Sequence, residues 1–585
     1  MHHLSFARTF LSILSVLSLS SLCHAQIPHL EKVGSKTCLM VQGKPYVMLS
    51  GELHNSTASS ISYMEQEKTF ENLRKLSLNT VIATVSWEQF EPVEGQFDFT
   101  LTDYLLSEAR KNDLHLVLLW FGTFKNPFMT YAPSWVKKNP KKYPRVVDQS
   151  GKELEMLTLF DSHILQAETR AYETFMRYLK DNDQQHTVLM IQIENEPGLR
   201  GTSRDFSAAA QKAWKGDVPS EIIDYLVRNA KTLQPDLRNA WQENGSRTKG
   251  NWETVFGKSI TKKDDSGKIV NLTEHLFTAY EYAHFIEGLT NAGKKVYDLP
   301  HFINASVFGL NSRGNSLGNG CAIPEFFDIY RAAAPSVDVI TPNSYMQQLD
   351  GICQVYSWNG TNPILIPESG IQGARALYAV GEWHCLGFSP FGIDDGAKDF
   401  ASPNPSATNI QMARSYHEMA EMGDMLIDAL GTDRMRGAYI YPGHEVEVIE
   451  MGDYQITITP RKGYDINVMM QAGIQAGGQG APSQAGSPGA APGRERGDAK
   501  ETIQPGGVLI LQSSKDEFYL IGYGFNADFT TKSGIKSQFC STDVIYEGHF
   551  EKGQFKEGRL LNGDERNIHV ASDSFNAFKV KVYYY

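Results

Sequence analysis

The stretch 190–198, MIQIENEPG, decides the fold. Val188, Leu189, Met190, Ile191 and Ile193 are apolar and rich in β-branched residues, as in a strand buried on both faces, and the run breaks off in Glu194, Asn195, Glu196, Pro197 and Gly198. Such a strand lies in a barrel and delivers carboxylates to its own C-terminal rim. The stretch 362–370, NPILIPESG, repeats the pattern and carries Glu368 to a second strand end.

Outward from these two strands, short apolar runs alternate with amphipathic helical text from about residue 26 to residue 432, which predicts an α/β fold, a (β/α)8 TIM barrel. The eight strands are expected at 46–51, 80–85, 115–120, the 190–198 stretch, 301–307, 337–341, 364–367 and 386–388. Helices are expected at 166–179 before strand four and at 410–430, where Met412, Tyr416, Met419 and Met422 recur near helical spacing as core packing. The excursion 199–300 contains helical text of its own and is expected to be an ordered extension of the rim.

Beyond residue 432 the period changes to two. The runs 454–459, 508–512, 517–525 and 578–585 alternate as half-buried antiparallel strands and predict a C-terminal β-sandwich over 433–585. It is interrupted at 472–507 by a Gly, Ala, Gln, Pro and Ser tract expected to be a mobile loop. Residues 1–25, with Arg8 ahead of an apolar run at 10–22 and Cys-His-Ala at 23–25, are expected to be a signal peptide, so the mature chain would be exported to the periplasm or secreted.

Composition narrows the partners. With 41% hydrophobic and 21% charged residues the chain can build a sizeable core, and a formal net charge of −12 argues against nucleic acid or an anionic membrane. Cys38, Cys321, Cys353, Cys385 and Cys540 show no CxxC spacing, which favours scattered thiols over a disulfide framework or zinc site.

The polar residues of the barrel text gather at the expected strand ends: Glu52 and His54 after strand one, Trp87 and Glu88 after strand two, Trp120, Lys125 and Asn126 after strand three, Asn343 and Tyr345 after strand six. With Glu196 and Glu368 they form a rim carrying two carboxylates far apart in sequence, the constellation used to cleave a glycosidic bond.

The Asn-Glu dipeptide closing strand four and the lone Glu closing strand seven resemble the catalytic pattern of the retaining glycoside hydrolases of clan A. SGELHNS at 50–56, LNTVIATVSWEQFEPVEGQFDF at 78–99 and IQIENEPG at 191–198 resemble the family 35 β-galactosidases, with features of family 42. The span 132–391, including YAPSWV and GFSPFGID, is similar to a bacterial branch of family 35 that carries its own C-terminal β-domain. The resemblance implies that Glu196 is the acid/base and Glu368 the nucleophile, that Asn195 donates to the sugar 2-hydroxyl, and that Tyr345 holds the nucleophile ionised. Glu196 then needs a raised pKa, supplied by apolar neighbours or by the negative Glu368.

Trp87, Trp120, Trp135 and Trp383 are candidate platforms for sugar faces, with Trp135 the one most suited to core packing. Glu52, His54, Glu88, Lys125 and Asn126 are candidate sugar contacts, each with a structural alternative; His54 reads equally as a hydrogen-bonded buried histidine, and Glu194 as secondary. The chain departs from family 35 at Thr84, where the family places a tyrosine, and at FGTFKNP (121–127), where it places an alanine-glutamate pair; those positions read the galactose hydroxyls. No cofactor or metal is required. The expected activity is that of a retaining exo-glycosidase releasing terminal β-D-galactosyl residues from plant-type oligosaccharides such as xyloglucan side chains. The alternatives are another clan A specificity (α-L-arabinopyranosidase or endo-acting) and a non-catalytic carbohydrate-binding protein.

Overall fold

Eight parallel strands close into a barrel, in chain order around the ring: Met48–Glu52, Thr80–Ser86, His115–Lys125, Val188–Asn195, His301–Val307, Val339–Ser344, Ile366–Ser369 and Gly387–Pro390. The structure, a computed structural model, describes residues 26–258, 261–263, 269–307, 318–460, 504–537 and 539–585. The expected signal peptide at 1–25 lies outside the described residues, as does all of 472–507 except its last four residues.

Strand alternation divides the barrel's side chains into two sets. Met48, Ile82, Val117, Leu119, Phe302 and Val339 point inward and pack with Leu39 and Val41 from a three-stranded N-terminal meander, His29–Val33, Lys36–Val41 and Lys44–Tyr46. Tyr46 at its end bonds to Asn79 and Thr80, where strand two begins. The meander therefore plugs the N-terminal mouth, and the polar C-terminal mouth is left for chemistry.

Several strands end later than their apolar text. Strand three continues to Lys125, strand six to Ser344 and strand seven to Ser369. Strands six and seven end in polar residues, so hydrophobicity stops there before hydrogen bonding does; strand three runs on through buried Phe121 and Phe124, with its backbone N–H groups bonded to Glu194 and Glu168. The 410–430 helix is two helices, Ala407–Glu421 and Asp424–Ile427, broken at Gly423 with φ 54°. Met412, Tyr416, Met419 and Met422 are buried core.

In the excursion, helices Ala208–Lys215, Ser220–Arg228, Pro235–Glu243 and Trp252–Phe256 form the rim extension. The long helix Leu272–Val296 that follows is the barrel's own helix, packed on Ser162–Asn182, where Gly293 faces the ring of Tyr172. No helix among the described residues is long and apolar enough to cross a membrane. The five cysteines among the described residues are free thiols, four of them buried.

Two antiparallel sheets follow the barrel. A six-stranded sheet runs in the order Met435–Ile440, Gly506–Ser514, Glu517–Tyr523, Asn576–Tyr584, Cys540–Glu551, Gln554–Leu560, and a four-stranded sheet comprises Glu447–Met451, Tyr454–Thr459, Phe525–Thr531 and Ile568–Val570. They face each other through Phe518, which meets Tyr454 and Phe529. The larger sheet covers the barrel helix Gly373–Gly381, every residue of which is buried. Tyr523 Oη accepts from Ala374 N at 2.9 Å, and Arg436 grips Glu382 with two 2.7 Å bonds. That helix directly follows the strand bearing Glu368, so the second sheet system braces the nucleophile strand from behind.

Candidate active site

Glu196 and Glu368 meet over the C-terminal mouth, joined by one side chain. Asn343 Nδ2, at the end of strand six, donates to Glu196 Oε1 at 2.8 Å and to Glu368 Oε2 at 3.0 Å. An amide NH2 directs its two protons about 120° apart, so the accepting oxygens lie roughly 5 Å from each other. That spacing is the one at which a carboxylate attacks the sugar itself, and it leaves too little room for the water of an inverting site, which needs about 6.5–9.5 Å.

The rest of Glu368 is held by Tyr345, whose hydroxyl donates to Oε1 at 2.7 Å. Burial and the charge of Glu196 push Glu368 up to about 7, against the Tyr345 hydroxyl and the Lys125 ammonium. Two carboxyls this close do not both ionise readily and share a proton. Among the described residues Glu368 receives side-chain bonds from both Tyr345 and Asn343 and Glu196 from Asn343, so hydrogen bonding favours the charged form of Glu368 against its burial.

A ladder of amides sets the register on the acid side. Asn195 Nδ2 donates to Asn126 Oδ1 at 2.6 Å while its Oδ1 accepts from Asn304 Nδ2 at 3.0 Å. Asn304 also donates to Asn343 Oδ1 at 3.2 Å and accepts from the Glu196 backbone N–H at 2.9 Å. Both Glu194 and Glu196 adopt positive φ, 56° and 50°, a strained turn that swings neighbouring carboxylates in different directions. Asn304 was missed in the sequence, although an asparagine at an inward position of HFINASV was a readable sign.

Glu194 points away from Glu196 into a sealed pair with Glu168. Its oxygens accept from the backbone N–H groups of Gly122, Thr123 and Phe124, at 2.9, 2.7 and 3.2 Å, and Glu168 takes Trp120 Nε1 at 2.8 Å. Gly122 is required here, since a Cβ would stand 2.0 Å from Glu168 Oε1. Burial, and then the Glu168 charge, push Glu194 well above the usual carboxylate range. This pair pins the extension of strand three that carries Lys125 and Asn126.

The other expected contacts divide. Glu52, Lys125, Asn126, Asn195 and Tyr345 converge on the carboxylates. The tryptophan platforms do not. Trp87 is fully buried and bonds to Glu91, Trp120 is fully buried on Glu168, and Trp135 stacks edge-on against Trp87 and bonds to Glu91 O. Each indole supplied an apolar body for the layer behind the strands and spent its N–H there. Trp383 lies between helix Gly373–Gly381 and strand eight, at the N-terminal face, beneath Lys36. Glu88 forms a rim ion pair with Lys137 at 3.0 Å, the structural role weighed against sugar binding.

His54 is clamped by Asp394, whose Oδ1 accepts from both the His54 backbone N and Nδ1 at 3.0 Å, and Asp394 Oδ2 accepts from Thr57. With Asp395 these form the described chain's one converging group of metal-ligand types. Asp394's oxygens are already engaged by hydrogen bonds, which makes the group a clamp between the loops after strands one and eight.

Two family models match the sequence. Residues 61–287 match the glycoside hydrolase family 42 model, described as Beta-galactosidase, and residues 412–571 match a domain of unknown function, DUF5597. The first span includes Glu196 and ends before Glu368; it points to family 42 where the sequence reading leaned to family 35. No curated protein matches the chain. Solved structures similar to it include the β-galactosidase of the psychrophilic Marinomonas ef1 (13% identity over 65% of this chain and 61% of that one, TM-score 0.42) and that of Bacillus circulans sp. alkalophilus (16%, 65% and 57%, TM-score 0.43). The catalytic domain of a β-amylase from Paenibacillus polymyxa is another (12%, 64% and 99%, TM-score 0.43). The chain spans about three fifths of the length of the two β-galactosidases.

Proposed function

We propose that the protein is a retaining exo-β-glycosidase that releases terminal β-D-galactosyl residues from plant-type oligosaccharides, xyloglucan side chains among them, after export from the cytoplasm. The observation that carries the reaction type is the single Asn343 amide touching both carboxylates. The match of residues 61–287 to a β-galactosidase model supports the sugar.

In the first step Glu368 attacks the anomeric carbon, the bond to the leaving oxygen breaks, and the Glu196 proton passes to that oxygen. Loss of that proton leaves Glu196 as a carboxylate beside an esterified, uncharged Glu368. In the second step Glu196 takes a proton from water, the water oxygen attacks the anomeric carbon, and the ester bond to Glu368 breaks, regenerating the starting pair. Asn195 is assigned the 2-hydroxyl, where hydrogen bonds tighten in the transition state; its bonds to Asn126 and Asn304 support that role by holding its side chain fixed.

The test is hydrolysis of aryl β-galactoside, β-glucoside, β-fucoside and α-L-arabinopyranoside by the wild type and by Glu368→Ala, with the anomer of the first product followed by NMR. Turnover confined to β-galactoside and its close stereochemical relatives, with retention and loss in the variant, is expected. Inversion, or no turnover on any of the four, sinks the reading.

A further inference from the structure

Glu52, the last residue of strand one, is the least satisfied acid in the barrel mouth. It is 1% exposed, and neither carboxyl oxygen is hydrogen-bonded among the described residues; Oε2 is buried outright without a partner. A buried polar atom left in this state destabilises the fold, so a fold retains it where a ligand completes it.

The backbone around it is fixed on every side. Gly51 presses on Ile393 so closely that a Cβ would stand 2.5 Å from that side chain, Leu53 N bonds to Ile82 O at 3.0 Å, and His54 is clamped to Asp394. Glu52 shares the inward parity of Met48, which sits in the barrel interior, and so aims up the axis into the mouth. The charges of Glu368, Lys125 and Glu196 all reach it, which places it inside the cleft with the reacting carboxylates.

Resting on the glycosidase reading above, we propose that Glu52 is a specificity-determining residue of the glycone subsite, its carboxyl exchanging hydrogen bonds with a sugar hydroxyl other than the one at C2. Burial, followed by the negative Glu368, pushes its pKa well above the usual carboxylate range, with Lys125 opposing. That environment favours the protonated form, which donates through one oxygen and accepts through the other, the complement of a hydroxyl that does both. It takes up hydroxyl reading on the opposite side of the mouth from the Asn126–Asn195–Asn304 ladder.

The experiment compares the full-length wild type with Glu52→Leu and Glu52→Gln on 4-nitrophenyl β-D-galactoside and its 3-, 4- and 6-deoxy analogues, and follows thermal unfolding with and without D-galactose. The wild type is expected to lose about 10²-fold in kcat/KM on one deoxy analogue. Glu52→Leu should lose a similar factor on the parent and nothing further on that analogue, with a melting temperature in buffer equal to or above that of the wild type. Equal slowing of all four substrates, unchanged rates, or a lower melting temperature with discrimination intact overturns the proposal and makes Glu52 structural. If the wild type turns over none of the substrates, the glycosidase reading fails by itself, and the sugar arm still decides Glu52. A D-galactose-induced rise in melting temperature that Glu52→Leu abolishes upholds the role; a rise it retains, or none in the wild type, rejects it.

Discussion

Glu194 and Glu196 are two residues apart on one strand, yet each belongs to a different carboxyl pair, and the pairs do opposite things. Glu194 with Glu168 is sealed: backbone N–H groups of Gly122, Thr123 and Phe124, the Trp120 indole and the Thr123 hydroxyl occupy its acceptors. Glu196 with Glu368 is open: Asn343 and Tyr345 take three contacts, and the remaining acceptor capacity faces the mouth. Deep burial raises carboxyl pKa values in both places. What separates machinery from scaffold is therefore unspent hydrogen-bonding capacity directed at space a substrate can enter.

The sharpest break of that contrast is to truncate one member of each pair. Glu368→Ala should lower kcat/KM by on the order of 10⁴-fold while leaving the melting temperature at or above the wild-type value. Glu194→Ala should do the reverse in kind, losing roughly 3 kcal/mol or more of stability by denaturant unfolding, because the Gly122 and Phe124 N–H groups are stranded in the core and Thr123 N keeps only its bond to Glu168. Its residual folded fraction should keep catalysis within about tenfold. Should Glu194→Ala unfold normally and lose all turnover, the two pairs have been assigned the wrong way round.

Most of this contrast was invisible in the sequence for a definite reason. The strands and their order were legible because buried parallel strands are continuous apolar runs, and Glu196 and Glu368 were legible because those runs stop at them. The extension of strand three to Lys125 was not, since it depends on Glu194 and Glu168 binding its backbone across 45 to 72 residues of sequence. The tryptophans misled because an indole beside a strand end suits a sugar platform and a core layer equally. Only the partner of its N–H distinguishes them, Glu91 for Trp87 and Glu168 for Trp120. Asn304 carried a signal that parity alone exposes, a polar residue on the inward side of an apolar strand.

A smaller effect tests whether the open pair is positioned as a unit. Asn343→Ala removes the one group among the described residues that touches both carboxylates, and kcat/KM should fall by about 10²-fold with KM little changed, since the loss is of transition-state alignment. Asn304→Ala removes the support behind Asn343 and Asn195 and should cost about tenfold. An Asn304→Ala effect as large as that of Asn343→Ala would mean that the ladder, and not the bridging amide, sets the carboxyl spacing.

The finest test reads the shared proton. Glu368 is raised from the ordinary 4.5 to about 7 by burial and by the Glu196 charge, so protonation favours the fold. Its contribution to stability is full below about 4.5 and is lost as pH climbs through about 7. The productive state holds one proton on the pair, and kcat/KM should accordingly fall as pH rises through about 7. Tyr345→Phe removes a bond to the ionised form and should move that fall to higher pH. Glu196→Gln removes the neighbouring charge, so Glu368 should ionise below 7. Inactivation by 2,4-dinitrophenyl 2-deoxy-2-fluoro-β-D-galactoside, whose leaving group needs no acid, reports that midpoint directly. A midpoint that stays at about 7 in Glu196→Gln would show that burial alone lifts Glu368, and the open pair would then differ from the sealed one only in what it faces, with no proton passed between its members.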